Sequence, residues 1–226
     1  AGPITLYGGD LSINSALTAT AADINLHATG DVTQSAAITA DGLGLHGGGT
    51  FTLQNSTNNV ATIAGGSNLA KLGSLSFTDA SDGLTIGSVN PTGIYSTGAI
   101  LIETGTGDIN ITENISTTST SSDAIILNAG KSSSAGTSTG GDILVTGTPT
   151  LTTGTNGIVK LFSGSVAQST GLTSISDNNY NGLDETSSLP SLTNGTINTF
   201  FREPAKSSVP QATDPWKPLI KLANFD

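Results

Sequence analysis

Gly107-Asp108-Ile109-Asn110-Ile111 and Gly141-Asp142-Ile143-Leu144-Val145 are two statements of one phrase: a small or acidic turn residue, then apolar, variable, apolar. Ala22-Asp23-Ile24-Asn25-Leu26 and Ser122-Asp123-Ala124-Ile125-Ile126-Leu127 repeat it, and Ile4-Thr5-Leu6, Leu43-Gly44-Leu45, Leu75-Ser76-Phe77, Leu84-Thr85-Ile86, Ile100-Leu101-Ile102 and Val159-Lys160-Leu161 are looser copies. Alternation with period two is the mark of a strand with one buried face. Each such strand spans three to five residues and is closed by Gly, Asn, Asp, Ser or Thr, so none is stable alone.

Successive phrases begin at Ile4, Ile24 and Leu43, then at Ile109, Ile125, Ile143 and Val159, in steps of 20 and 19 and later of 16, 18 and 16 residues. Repeats of this length built from short strands point to a solenoid. No stretch has the i, i+3, i+4, i+7 spacing of a helical repeat, and the Asn of a leucine-rich repeat is not sustained. The spacing therefore predicts an all-β fold, a right-handed parallel β-helix (β-solenoid) with a C-terminal cap and an extended tail. Eight to ten coils spaced about 4.8 Å apart would make a bar on the order of 40 to 45 Å long. Ile24, Leu43, Ile109, Ile125 and Ile143 are expected to face inward in columns. A β-sandwich is the competing fold, but it favours longer strands and a more aromatic core.

Composition agrees. Aromatic residues make up 4% of the chain, so the core must be built from Ile, Leu, Val and Ala; the 29 glycines suit tight corners. The net charge of -10 disfavours phosphate backbones, so no nucleic-acid partner is expected. The absence of Cys excludes disulfides, thiolate metal sites and a cysteine nucleophile. No apolar run reaches the roughly 18 residues of a membrane span. Residues 1–3 carry no signal peptide, as expected of a processed chain or a fragment.

Residues 1–169 read as β-helix coils, 170–203 as a terminal coil and cap, and 204–226 as a Pro-rich tail. Five of the eight prolines and four of the seven basic residues fall in the last 37 positions, together with the single Trp216. A solenoid end exposes unpaired strand and bare core, so a cap is required. Leu101, Ile126 and Leu144 are apolar where the phrase points outward, and they suggest a stripe on which the tail around Trp216 could lie, or through which copies could self-associate.

Four constellations could carry chemistry. His27 and His46 hold the same register one coil apart, but two imidazoles without a carboxylate make a poor metal site. Asp177-Asn178-Asn179-Tyr180-Asn181-Gly182 matches the first half of a calcium loop, offering Asp177, Asn179, Asn181 and the nearby Asp184 as ligands. Position 12 of that loop is Ser188, so an Asn-Gly turn competes with it. Asp108, Asp123 and Asp142 could form an acidic ladder for glycoside chemistry, although an Asp at a strand entrance is usually a hydrogen-bonding device. An ice-binding Thr column is not supported: the outward positions mix Thr5, Asn25, Gly44, Ser76, Thr85, Leu101, Asn110, Ile126, Leu144 and Lys160.

Gly107–Glu113, Asp123–Lys131, Gly140–Pro149 and Val159–Ala167 resemble the repeat regions of filamentous-haemagglutinin-like proteins, large bacterial secreted or surface adhesins. The resemblance covers residues 4 to 203, including Tyr180–Thr186 and Phe201-Arg202-Glu203, which look like a terminal coil. Of the paired Asn-Pro motifs of that family's secretion domain, only Asn90-Pro91-Thr92-Gly93-Ile94 has a counterpart here. The resemblance implies a non-enzymatic structural and adhesive segment, secreted or at the cell surface, touching host or neighbouring-cell glycans or proteins. It implies no catalytic residues. A polysaccharide-binding or polysaccharide-degrading β-helix is the alternative.

Overall fold

The computed structural model describes residues 2–80 and 83–204. Its strands stack in parallel as a β-solenoid of about nine turns, and the one helical element described is the single 3-10 turn Leu172–Ser174. Two sheets run along the axis. The first begins with Ile4–Gly8, Leu17–Ala28, Ile38–His46 and Asn59–Gly65, and the second with Leu11–Ile13, Val32–Gln34, Thr50–Leu53, Ser74–Asp79, Ile100–Thr104, Ile125–Asn128 and Val159–Ser163.

The alternating phrase sets the core. In the first sheet Ile4, Ile24, Leu43, Ile63, Ile86, Ile111 and Val145 form one inward column. In the second, Leu11, Val32, Phe51, Leu75, Ile100, Ile125, Val159 and Ile197 form another. Most of these side chains are wholly buried, which makes lost apolar surface the main stabilising term.

Three expectations are corrected. Ile125 does not share a column with Ile109 and Ile143: it lies in the second sheet, whereas Ile109 and Ile143 align with each other in the first. The 16-to-18-residue steps were therefore half-coils, because the phrase occurs on two faces of each turn. Leu101 and Ile126 are neighbours on the second sheet, but Leu144 lies beside Asn110 on the first, so the three do not make one stripe. The proposed occupant of that stripe, the segment around Trp216, lies outside the described residues. Finally, Leu17–Ala28 spans 12 residues and Ile38–His46 spans 9. Here two short strands run together across an irregularity between Ala19 and Asp23, with Ala21 at φ 62° taking the bend.

The corner residue is a clamp between coils. Oδ1 of Asp10 accepts the N–H of Asp31, Asn58 that of Ile38, Asp79 that of Val60, Asp108 that of Asp142 and Asn114 that of Thr150. Asp177 does the same for Ile197 through Oδ2. The hydrogen-bonding role expected for Asp at a strand entrance is present, but its partner is a neighbouring rung rather than the residue's own turn.

The C-terminal end breaks chain order. Ile197–Phe201 inserts between Val159–Ser163 and Asn178–Asn181, so the edge rung is formed before the strand it pairs with. Asn179 and Asn181 take the inward register of Thr199 and Phe201, and polar side chains thus end the apolar column. The loop Lys131–Gly140 folds onto this cap: Ala135 N–H donates to Asp184 at 2.7 Å and Gly136 N–H to the Arg202 carbonyl at 2.7 Å. The fully buried Arg202 donates through Nη2 to the Gly141 carbonyl at 2.6 Å.

Candidate functional site

The predicted calcium ligands occupy the cap. Asp177 precedes the strand Asn178–Asn181 and is bonded to Ile197 N–H at 2.7 Å. Asn179 is exposed, and Asn181 donates to Glu203 Oε1 at 2.9 Å. An extended strand rises about 3.3 Å per residue, so it spreads these positions out instead of wrapping them round a point. Asp184 is buried and accepts from Ala135 N–H, Thr186 N–H, Thr186 Oγ1 and Ser187 Oγ. Burial pushes its carboxyl up, but these hydrogen bonds together outweigh burial and hold it down at about 2. Among the described residues no group of three or more His, Asp or Glu is placed to hold a metal ion.

The acidic ladder resolves into two places. Asp108 and Asp142 are joined by the clamp, while Asp123 lies on the other sheet and pairs with Lys160 at 2.6 Å. Asp142 is buried, and its carboxyl is raised chiefly by that burial, against hydrogen bonds from Ser165 and Ser169.

The histidine register is as expected, and Tyr7 extends it. Tyr7, His27 and His46 stack on the outer face, with centroids 4.4 Å and 4.1 Å apart. Beside them the loop from Gly87 to Gly93 interrupts a strand: Ile86 pairs with the Ile63 column, and Ile94 re-enters opposite Gly65. That loop leans back over Gly42 and Gly44. A Cβ at Gly42 would stand 2.8 Å from Val89 Cγ1, and one at Gly44 would stand 2.7 Å from the Asn90 carbonyl. The Asn90 carbonyl favours the protonated form of the His46 ring, whose Nε2 lies 3.3 Å from Asn25 Oδ1. Asn90-Pro91, read as a counterpart of a secretion motif, thus belongs to a loop seated on two outward-facing glycines.

A groove of about 440 Å³, which the sequence did not announce, lies on the second sheet. It lies where four successive rungs of the second sheet turn, after Leu53, Asp79, Thr104 and Asn128. Gln54, Ser56, Thr78, Asp79, Thr106, Lys131 and Ser132 supply its polar side chains. Lys131 is paired with Glu103 at 2.6 Å, and Thr78 Oγ1 donates to the same carboxylate oxygen at 3.2 Å. Backbone groups along the turns bond from coil to coil, as in Gly105 N–H to the Asp79 carbonyl and Ser132 N–H to the Gly105 carbonyl. Its residues come from separate coils at unequal spacing, so no local motif marks it.

Among the described residues no helix is long and apolar enough to cross a membrane. No family model matches the chain, and neither a curated protein nor a solved structure matches it, so the architecture and these surfaces are what define it: a β-solenoid repeat protein.

Proposed function

We propose that the chain is a non-enzymatic structural and adhesive β-helix segment of a bacterial secreted or cell-surface adhesin, in the style of filamentous-haemagglutinin-like repeats. The observation that carries this reading is the ladder itself: about nine parallel turns with an apolar interior and an outer face of Thr, Asn, Ser and Gly. Such a bar holds surface groups in fixed register along its length, which suits weak contacts repeated many times. The polysaccharide-binding alternative draws on one further observation, the polar groove beside Lys131, whose volume falls in the range of ligand clefts.

Beads coated with the full chain, passed over glycan- and protein-bearing surfaces under flow, test the proposal. Retention above that of beads carrying an unrelated β-solenoid is the expected result. Equal retention on every surface would leave a mere spacer and sink the adhesive half of the reading.

A further inference from the structure

The groove at the corner of the second sheet has a shape and a chemistry that select among ligands. It runs along the solenoid axis, because its lining comes from four consecutive rungs rather than from one. Three rung spacings of about 4.8 Å give it a length of about 14 Å. Three of the four rungs contribute exposed donors and acceptors: Gln54 and Ser56 from the first, Thr106 from the third, Ser132 from the fourth; Thr78 of the second is buried and already bonded to Glu103.

An extended peptide is a poor match. Peptides add to sheets through free backbone edges, whereas these turns already bond to one another along the axis, for example Lys131 N–H to the Thr104 carbonyl and Ala80 N–H to the Asn58 carbonyl. A polyanion is a poor match as well. Lys131 is the one cation in the lining and is already paired with Glu103, Asp79 lies in the wall, and the whole chain carries -10. An apolar ligand would find no aromatic side chain there.

We infer that this groove binds a neutral, hydroxyl-rich linear glycan lying along the solenoid axis, about one sugar per rung, as the contact surface of the adhesive segment. The inference rests on the adhesive reading above and adds the site and ligand class to it. Gln54 and the hydroxyls of Ser56, Thr106 and Ser132 exchange hydrogen bonds with sugar hydroxyls. Single-site affinity is low without a stacking ring, and repeated display supplies the rest.

Titration of the full chain with neutral oligosaccharides and with oligouronates of the same length tests this. The probes are the hexasaccharides of an unbranched neutral glucan, mannan and xylan, and of polygalacturonate. Ser56→Arg and Ser132→Arg fill the two ends of the groove from exposed positions, and Leu69→Arg, at a side chain 98% exposed elsewhere, is the control. At least one neutral hexasaccharide is expected to bind, with the dissociation constant raised tenfold or more in both groove variants, unchanged in the control, and insensitive to salt. Unchanged binding in groove variants whose melting temperatures match the parent would place the glycan elsewhere and overturn this inference while leaving adhesion standing. Preference for the uronate would overturn the ligand class. No binding of any glycan, together with bead retention on protein-bearing surfaces, would overturn the groove alone; without that retention the adhesive reading falls with it.

Discussion

The imidazole rings of His27 and His46 lie face to face, 4.1 Å between centroids and 3° from parallel. Parallel pairing of His27 with His46 in adjacent rungs sets their Cα atoms side by side, which brings the two rings into one stack. This contact adds to the effect of burial on the pH behaviour of the outer face.

His46 takes up its proton less readily than a free histidine, mainly because it is partly buried and further because of the charge on His27; the hydrogen bond to the Asn90 carbonyl opposes both. The groups facing it are His27, with Tyr7 beyond, and Asn25; the loop from Gly87 to Gly93 brings no titratable side chain. A histidine whose folded pKa is depressed contributes stability that is complete above its ordinary value of 6.5 and is lost as pH falls through that value. The melting temperature should drop between pH 7.5 and 5.5, and by less in His46→Gln. An NMR titration placing His46 at or above 6.5 would contradict this.

Asp184 gives the opposite end of the scale. Its pKa of about 2 lies below the ordinary 3.8, so its stabilisation is present above 3.8 and disappears as pH falls toward 2. Asp184→Ala removes the acceptor for Ala135, Thr186 and Ser187 and should cost about 2 to 4 kcal/mol. Urea unfolding at pH 7 and pH 2.5 measures it: the difference between parent and variant should shrink at the lower pH.

Inward and outward apolar positions should respond differently to truncation. Ile63→Ala leaves a hole in a column that is wholly buried and should cost about 3 kcal/mol. Ile126→Ala removes an outward, half-exposed side chain and should cost about 1 kcal/mol or less. Equal costs in chemical denaturation would mean that the registers are wrong.

The seat of the loop at Val89 and Asn90 depends on Gly44. In Gly44→Val the new Cβ would stand 2.7 Å from the Asn90 carbonyl and closer still to the Asn25 side chain, so Asn25 must swing aside and the loop must lift, at about 1 to 3 kcal/mol. His46 then loses the carbonyl that favours its protonated form, and its pKa should fall further. A variant with His46 titrating as in the parent would show that the loop is held by something else.

The period-two phrase made the solenoid legible, since Asp-Ile-x-Ile has one comfortable place in a parallel ladder. The histidine register was legible for the same reason. Coil length was not: Asp123-Ala124-Ile125 and Gly107-Asp108-Ile109 read alike although they lie on different sheets, because alternation tells inside from outside and not one face from another. Gly44 read as part of a looser copy of the phrase, and only the loop returning from residue 89 explains why it and Gly42 lack side chains. The groove and the inserted strand Ile197–Phe201 depend on contacts between distant coils, which no local pattern encodes.

The central claim is that this ladder holds a glycan and leaves it intact. The direct measurement is one incubation of the full chain with the neutral polysaccharide it binds most tightly, reading bound protein and new reducing ends over a day. Saturable binding with no rise in reducing ends over a protein-free control is the predicted result. Reducing ends that accumulate in proportion to protein, or no binding to any neutral polysaccharide, would contradict the account.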